Sequence, residues 1–386
     1  MTRSNRRSAN VPRSSVVDVA IAHDYLTQRG GAEKVVLAMH RGFPHAPLYT
    51  TLYSPAETYP EFGHIDVRTS VLNRFSVFRR FHRLAFPFLA FVSQRFRVPA
   101  RLTIVSSSGW AHGFLTAGSK IVYCYSPARW LYQSESYLGE GRSLKRTVLQ
   151  LMRARLRRWD RRHARSATKY FAISTVVRER IWQAYGIEAE VLPAPHSVDV
   201  SAAQEPLDLT AIGSPDVFYL CISRLLPYKN VDVVVEAFNE LNLPLVVVGA
   251  GPQERELAGL AGANVLLVKN LSDAQIRWLY AHSAAIVAAS FEDYGLTPIE
   301  AAAYGKPSVV LRWGGFLDTV REEETGVYFD QPKPAMVAAA VLRSRQIEWD
   351  SQKLVSHSDT FGEAAFIERL RDELTRARAS QNGSGR

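Results

Sequence analysis

Short apolar runs alternate with amphipathic stretches along most of the chain. This pattern predicts parallel β-strands joined by crossover helices, because strands buried on both faces are apolar throughout whereas crossover helices bury only one face. In the first half the predicted strands are residues 17–22, 47–53, 65–70, 102–108, 120–126, 169–174 and 188–194. The predicted helices of that half are residues 30–42, 86–98, 142–166 and 175–185.

The same rhythm restarts after a proline-rich passage, residues 193–215, which contains no strand-like run and is interpreted as an interdomain linker. Beyond it the predicted strands are residues 217–223, 244–250, 264–269, 284–290 and 307–312. The predicted helices there are residues 230–241, 272–282 and 297–304. Two successive units of this kind favour an α/β architecture of two doubly wound domains that face each other across a cleft.

A length of 386 residues also suits two domains. We predict domain limits of 1–200 and 201–360, followed by a C-terminal helix and tail, 361–386, which we expect to pack back towards the first domain. Because ligands of open α/β sheets bind beyond the carboxyl ends of the strands, functional residues are expected in the loops that follow the strand-like runs.

Positive charge is concentrated in the first half of the chain. Residues 1–200 contain 30 Lys+Arg and 13 Asp+Glu, a net charge of +17, whereas residues 201–386 contain 17 and 24, a net charge of −7. The asymmetry indicates a polyanionic partner for the first half, either nucleic acid or an anionic membrane surface. Residues 74–101 interleave seven Phe with seven Arg, and residues 142–165 form an Arg-dense helix, a combination typical of interfacial elements. Since no nucleic-acid recognition motif accompanies the charge, the membrane surface is favoured.

Cysteine usage and targeting signals bear on the compartment. Cys124 and Cys221 lie inside apolar runs and are interpreted as small core residues, although one disulfide between them is possible in principle. The basic N-terminus lacks an export-type apolar segment, and no apolar run reaches the length of a membrane-spanning helix. The protein is therefore expected to be cytoplasmic, or peripheral on the inner face of the membrane.

The most informative segment for chemistry is SFEDYGLTPIEAAAYGKPSVV, residues 290–310. Glu292 follows a buried strand, and Glu300, separated from it by seven residues, lies inside the next helix. Between them, residues 294–297 place backbone N–H groups at the helix N-terminus, a ready anion site, with Thr297 as a possible cap. A carboxylate at each end suits a ligand with hydroxyls on both sides of a phosphate. The alternative is a solvated loop glutamate and a salt-bridged helix glutamate.

Residues 290–310 resemble the E-x7-E signature of retaining glycosyltransferases of family 4, which share the two-domain GT-B fold. Further segments similar to that family follow in the expected order, namely residues 25–39, 221–238, 246–257, 264–290 and 312–329. The segments SSSGWAHGF and YCYSPARWLY resemble a subgroup that transfers sugars, often mannose, during surface-polysaccharide assembly. The resemblance implies an N-terminal acceptor-binding domain and a C-terminal nucleotide-sugar-binding domain.

The resemblance also implies roles for individual residues. Glu300 would bind the nucleotide ribose hydroxyls and Glu292 the hydroxyls of the donor sugar. Arg224 and Lys229, placed after a strand and at a helix start, would neutralise the charge that develops on a nucleoside diphosphate leaving group. The remaining predicted substrate contacts are Gly30, Gly31, Val268, Lys269, Leu271, Tyr294, Gly295, Leu296 and Thr297. Of these, the glycines would allow the diphosphate or acceptor to approach the backbone closely, and residues 268–271 would flank the base.

The reaction centre departs from the family pattern. Many relatives have a histidine that reaches the sugar where this chain has Tyr125. With a reference pKa near 10, tyrosine is a poor base at neutral pH. Either Tyr125 positions the sugar or His112 takes part of the role, and Asp24 is a third candidate for an acceptor contact. The alternative is that these side chains have no part in the reaction, Tyr125 being a core or rim aromatic residue and His112 a loop histidine.

No Asp-x-Asp sequence occurs in the chain, which suits a metal-independent enzyme that uses no cofactor beyond its nucleotide-sugar co-substrate. The sequence Gly249-x-Gly251 partly matches a dinucleotide fingerprint, but Glu254 replaces the third glycine, so the match is weak. We therefore expect a retaining hexosyltransferase that moves mannose from GDP-mannose to a lipid-linked or polysaccharide acceptor. The alternatives are a UDP-hexose donor, a nucleotide-sugar epimerase of the same fold, and a nucleic-acid binder, against which the intact set of site residues argues.

Overall fold

The structure is a computed structural model, and it describes residues 16–132 and 144–383. The chain divides into two compact units, Met1–Tyr170 with Asp372–Arg386, and Phe171–Arg371. The domain limits at residues 200 and 360 inferred from the sequence stay a prediction.

The first unit contains a parallel sheet with helical crossovers. Its strands are β1 (Val17–His23), β2 (Leu48–Thr50), β3 (Val67–Thr69), β4 (Arg97–Val98), β5 (Ala100–Ser107), β6 (Leu115–Thr116), β7 (Ser119–Cys124) and β8 (Lys169–Ala172), the last of which contains the limit between the units. Its helices are α1 (Gly31–Gly42), α2 (Ser76–Arg80), α3 (Phe86–Ser93), α4 (Arg129–Tyr132) and α5 (Leu144–Ala164).

The second unit repeats this alternation. Its helices are α6 (Thr175–Tyr185), α7 (Val231–Leu241), α8 (Glu254–Leu260), α9 (Asp273–His282), α10 (Leu296–Ala303), α11 (Phe316–Thr319), α12 (Pro334–Ser344), α13 (Ser351–Asp359) and α14 (Glu363–Gly383), which extends past Arg371. Its strands are β9 (Glu190–Val191), β10 (Tyr219–Ile222), β11 (Leu245–Val248), β12 (Val265–Val268), β13 (Ile286–Ala288), β14 (Ser308–Leu311) and β15 (Gly326–Phe329).

Both main sheets reverse their strand order in the middle. The first has the order β3-β2-β1-β5-β7-β8-β9, and the second has the order β12-β11-β10-β13-β14-β15. The pairs β1–β5 and β10–β13 are parallel, although many residues separate their strands along the chain. Each sheet therefore has a topological switch point, which is where ligands of doubly wound folds bind.

The second sheet is buried on both faces, which accounts for its nearly continuous apolar strands. Tyr219 and Cys221 of β10 belong to one apolar cluster, and Leu220 between them belongs to another on the opposite face. Helices α7 and α12 add to the first cluster through residues such as Val234 and Val337. The predicted architecture of doubly wound parallel sheets is confirmed.

One predicted helix is too long. Residues 86–98 were expected to be helical, but α3 ends at Ser93, and Arg97–Val98 forms strand β4, paired with β6. The reason is local, since Pro99 disfavours a helical conformation of Val98. The predicted helix 142–166 is α5, and residues 142–143 lie outside the described residues.

Cys124 and Cys221 are both buried free thiols, so the disulfide considered possible does not form. Burial raises the pKa of each thiol, that of Cys221 to about 12. Both cysteines are therefore core residues.

Among the helices that the structure describes, none has the length and apolarity needed to cross a bilayer.

Candidate active site

A pocket of about 210 Å³ lies at the switch point of the second sheet. It is lined by the loops that follow β10 and β13 and by the start of α10. The lining residues are Cys221, Ile222, Ser223, Arg224, Lys229, Ala288, Ala289, Ser290, Glu292, Tyr294, Gly295, Leu296 and Thr297. Seven residues predicted from the sequence thus come together in one pocket.

Two opposite charges meet inside this pocket. The Lys229 ammonium donates a hydrogen bond to the Glu292 carboxylate, and the Ser290 hydroxyl donates to the same oxygen at 3.1 Å. Lys229 is only 8% exposed and ends a short 3-10 helix. The next residue, Asn230, has a left-handed φ of 49° and donates to the Ala289 carbonyl at 2.8 Å, which ties the lysine loop to the end of β13. Arg224 is held by Tyr228, whose hydroxyl accepts a hydrogen bond from its guanidinium at 3.1 Å.

The N-terminus of α10 opens into the pocket without a side-chain cap. Gly295 is the N-cap residue, and no side chain accepts from the first N–H groups there. Thr297 lies inside the first turn, so its interpretation as a cap was wrong. A Cβ on Gly295 would lie 2.6 Å from the Phe316 ring and 2.8 Å from the Thr319 hydroxyl, so only glycine fits. Uncapped backbone N–H groups at a helix start form a site for an anion such as phosphate.

Tyr294 and Glu300 are held by hydrogen bonds beside this helix start. The Tyr294 hydroxyl donates to the Ala194 carbonyl at 2.6 Å. Glu300 accepts a hydrogen bond of 2.7 Å from Tyr280, whose ring stacks on Tyr304 at 5.8 Å. Burial, with the charge of Glu300, raises the pKa of Tyr280 well above its usual value, so this hydroxyl remains a donor. Glu300 stands four residues beyond Leu296, which puts both on one helix face.

The residues predicted to flank the base lie at the end of β12. Val268 and Leu271 pack against an apolar cluster, while Lys269 forms an ion pair with Glu254. All three are described by the structure, and none of them lines the pocket. Their role as base contacts stays a prediction.

Close packing explains why residue 249 is glycine, which the partial match to a dinucleotide fingerprint did not explain. A Cβ there would lie 1.9 Å from the Ser223 carbonyl oxygen. The glycine therefore allows the loops that follow β10 and β11 to pack closely. This packing accounts for the glycine without a dinucleotide site, in agreement with the weak match to the dinucleotide fingerprint.

The switch point of the first sheet is organised by Asp24, which follows β1. Its carboxylate accepts hydrogen bonds from the backbone N–H groups of Ser108, Trp110 and Ala111 at 2.5, 2.9 and 2.6 Å. It also accepts from the Ser108 hydroxyl at 2.8 Å, and it is 1% exposed. Asp24 thus fixes the loop after β5, and a direct acceptor contact by this side chain stays a prediction.

His112 lies in a buried polar cluster behind that loop. Its Nδ1 is 3.2 Å from the Ser107 hydroxyl, and its Nε2 is 2.8 Å from a carboxylate oxygen of Asp160 on α5. Its carbonyl accepts a hydrogen bond of 2.8 Å from Lys120, the pKa of which burial lowers to about 8. His112 is 2% exposed, and its predicted part in the reaction centre is not tested by this geometry.

Tyr125, at the end of β7, makes contacts that the sequence did not indicate. Its hydroxyl lies 2.9 Å from the Ser106 hydroxyl and donates to the Ala32 carbonyl at 3.2 Å. Burial raises the pKa of Tyr125 well above its usual value, which agrees with the view that it is no base at neutral pH. Ala32 follows Gly30, the N-cap of α1, and Gly31, the first residue of that helix. Tyr125 and the Gly30–Gly31 turn, both predicted to contact substrates, are therefore neighbours in space.

Sequence reasoning missed His23 and Glu33, which lie beside these residues. His23 ends β1 directly before Asp24, and Glu33 stands in the first turn of α1. Both positions could have been found from their places at a strand end and a helix start.

Residues 210–355, which contain the whole pocket, match the family model described as Glycosyl transferases group 1. Over 213 residues the chain is 28% identical to a D-rhamnosyltransferase of Pseudomonas aeruginosa, covering 51% of this chain and 54% of that protein. Over 196 residues it is 27% identical to a GDP-mannose-dependent phosphatidylinositol monomannoside mannosyltransferase of Mycolicibacterium smegmatis, covering 44% and 50%. The chain thus spans about half the length of these relatives.

Solved structures extend the likeness to nearly the whole chain. The Anabaena protein HepE, solved in complex with UDP, superposes with a TM-score of 0.68 at 14% identity, covering 93% of this chain and 100% of that one. At such identity the likeness concerns the fold. The chain has the GT-B fold, built from two Rossmann-like α/β domains.

Proposed function

We propose that this chain is a retaining glycosyltransferase that moves mannose from GDP-mannose to a lipid-linked or polysaccharide acceptor at the cytoplasmic membrane face. The observation that carries the proposal is the pocket at the switch point of the second sheet, which combines Arg224, Lys229 and Glu292 with the uncapped start of α10. Two cations and a helix N-terminus suit a nucleoside diphosphate, while a carboxylate suits sugar hydroxyls.

In this proposal the chain's own groups stabilise the leaving group. Arg224, Lys229 and the first N–H groups of α10 neutralise the charge that develops on the diphosphate as the sugar bond breaks. Glu292 binds the hydroxyls of the donor sugar, and Glu300 binds the ribose. The backbone N–H groups of Gly295 and Leu296 contact phosphate or sugar.

GDP-mannose is our first choice of donor, supported by the mannosyltransferase relative of Mycolicibacterium smegmatis, whose name specifies it. The structural neighbour HepE was solved with UDP, which supports a UDP-hexose as the second candidate. Both candidates use the same diphosphate and sugar-hydroxyl chemistry, so they differ only in the base and the sugar.

GDP-mannose should raise the melting temperature of the protein, because a ligand that binds only the native state stabilises it. We expect Glu300→Ala to weaken this binding by roughly tenfold to a hundredfold, since hydrogen bonds to a charged group contribute about 1.5–3 kcal/mol. Glu292→Ala should instead mainly reduce turnover. The measurement is a thermal-shift titration with GDP-mannose, with UDP-glucose in parallel.

A matched control for the charge change is Glu348→Ala, at an exposed position of the same unit. If neither nucleotide sugar shifts the melting temperature of the unaltered chain, the proposed donor site is wrong. If UDP-glucose alone raises the melting temperature, the donor is a UDP-hexose and not GDP-mannose, while the proposed donor site stands.

The proposed membrane contact rests on an exposed apolar patch in the first unit. Its members are large apolar side chains that are about half exposed, namely Val71, Phe75, Val77, Phe81, Leu84, Phe88 and Phe91. Arginines border the patch, and the guanidinium of Arg95 lies 3.6 Å from the centre of the Phe91 ring. A surface that combines arginine with exposed phenylalanine suits anionic headgroups and the acyl boundary beneath them. An epimerase needs no lipid acceptor, so this surface argues mildly against that alternative.

The double variant Arg79→Glu/Arg80→Glu should bind vesicles containing phosphatidylglycerol roughly thirtyfold more weakly, because each basic residue near an anionic surface contributes about 1 kcal/mol. Vesicle flotation measures the bound fraction. The control is Arg178→Glu/Arg255→Glu, which makes the same charge change at exposed helical positions of the second unit. Equal flotation of the two double variants would refute the proposed docking surface, and competition by RNA would favour the nucleic-acid alternative.

A further inference from the structure

Buried and half-buried side chains form a continuous row at the carboxyl ends of β1, β5 and β7. The His23 Nε2 lies 3.9 Å from the Glu33 carboxylate, and its Nδ1 lies 2.9 Å from the Ser106 hydroxyl. That hydroxyl lies 2.9 Å from the Tyr125 hydroxyl, which in turn donates to the Ala32 carbonyl at 3.2 Å. The row therefore begins and ends on the first turn of α1.

One arrangement of protons satisfies every contact in this row. The His23 Nδ1–H donates to the Ser106 oxygen, the Ser106 hydroxyl donates to the Tyr125 oxygen, and the Tyr125 hydroxyl donates to the α1 backbone. Each hydroxyl gives one proton and accepts another, as its chemistry allows. His23 and Ser106 are 2% and 0% exposed, so water does not compete for these bonds. Buried hydrogen-bonded chains such as that from His23 to the Ala32 carbonyl hold their members in one geometry.

Glu33 supplies the charge at the start of the row. It is 1% exposed, and a Cβ on Gly30 would lie 2.6 Å from its Oε2, so the glycine leaves room for the carboxylate. Burial works to lower the pKa of His23, but the carboxylates of Glu33 and Asp24 outweigh it and raise that pKa above its usual value. The row requires a proton on the Nδ1 of His23, which donates to the Ser106 oxygen.

We infer that Glu33, His23 and Ser106 are positioning residues that lock the Tyr125 hydroxyl to the first turn of α1. The inference deepens the proposed function and rests on it, together with the substrate contacts that the sequence resemblance implies for Tyr125, Gly30 and Gly31. Locked together, the tyrosine and the turn present one fixed surface to the sugar. Sub-ångström placement of such groups matters for turnover more than for binding.

The test is a double-mutant cycle with Ser106→Ala and Tyr125→Phe. We expect each single change to lower kcat for the hydrolysis of GDP-mannose, in which water accepts the mannosyl group and GDP leaves, by about tenfold, with the KM for GDP-mannose unchanged. The double variant should be no slower than either single one, because contacting members of one network are not additive. His23→Ala, which breaks the row at another link, should behave like Ser106→Ala.

A second measurement does not depend on activity. Amide hydrogen exchange at residues 25–39 should become faster in Ser106→Ala and Tyr125→Phe, since both free the first turn of α1. The control is Thr103→Val, which removes a buried hydroxyl on the same strand β5 that has no hydrogen-bond partner among the described residues. It should change neither kcat nor exchange.

The outcomes separate the network from the proposed function. If amide hydrogen exchange at residues 25–39 is unchanged in Ser106→Ala, the proposed network is wrong, whatever the effect on kcat. Faster exchange with additive losses of kcat would overturn its role in positioning Tyr125. If the unaltered chain releases no GDP from GDP-mannose and no UDP from UDP-glucose, the proposed function fails, and the positioning role in catalysis falls with it.

Discussion

Lys229→Gln is expected to lower the kcat of sugar transfer by a factor of roughly 10²–10³, the usual cost of removing one preorganised group that stabilises charge in a transition state. Lys229 is 8% exposed, sits at the switch point of the second sheet, and is aimed at the same pocket as the uncapped helix start. Glutamine keeps most of the side-chain length and a hydrogen-bond donor but removes the charge. The measurement is the rate of GDP release from saturating GDP-mannose.

The ion pair between Lys229 and Glu292 offers a second explanation for such a loss, because glutamine would leave the carboxylate without its cation. The double variant Lys229→Gln/Glu292→Gln separates the two. If Lys229 acts on the diphosphate, the double variant should be slower than Glu292→Gln alone by a similar factor. A double variant no slower than Glu292→Gln alone would mean that the lysine only balances Glu292.

The control is Lys333→Gln, which removes one exposed charge from the same unit. A kcat of Lys229→Gln within twofold of this control would contradict the proposed role of Lys229.

The sequence allowed the second unit to be predicted well because its signals are local. Apolar strands end two residues before Arg224 and four residues before Glu292, and a glycine precedes the helix that carries Glu300. Once the strands are parallel, their carboxyl ends meet at one edge of the sheet, so these residues must converge. The same logic failed at Thr297, because the helix begins two residues earlier than a cap at that position needs.

The first unit was harder to predict because its polar contacts join residues far apart in the chain. His23 and Ser106 are 83 positions apart, and Asp24 reaches loop residues 84 to 87 positions away. The sequence shows that such residues exist, but it does not show which of them contact each other. Asp160 is a further case, since it stands in an arginine-dense helix and would be taken for a member of a solvated ion pair. Its burial against His112 follows only from packing.

Asp24→Ala is expected to destabilise the protein by about 4 kcal/mol, because buried donors left without an acceptor cost about 1–3 kcal/mol each. Three backbone N–H groups of the loop after β5 depend on this carboxylate, as does the Ser108 hydroxyl. Urea unfolding followed by tryptophan fluorescence measures the change, and Trp110 is itself one of the tethered residues. The midpoint should fall while the slope stays the same.

Two further variants test whether the carboxylate acts through these bonds. Asp24→Asn keeps one oxygen acceptor but turns the other end into a donor that faces the N–H of Ser108, so we expect a loss of stability smaller than that of alanine. Asp66→Ala removes a carboxylate of the same unit that is 60% exposed and paired with Arg68, and it should change stability by less than about 1 kcal/mol. An Asp24→Ala midpoint equal to that of Asp66→Ala would mean that the loop after β5 holds its shape without Asp24. The switch point of the first sheet would then need another anchor.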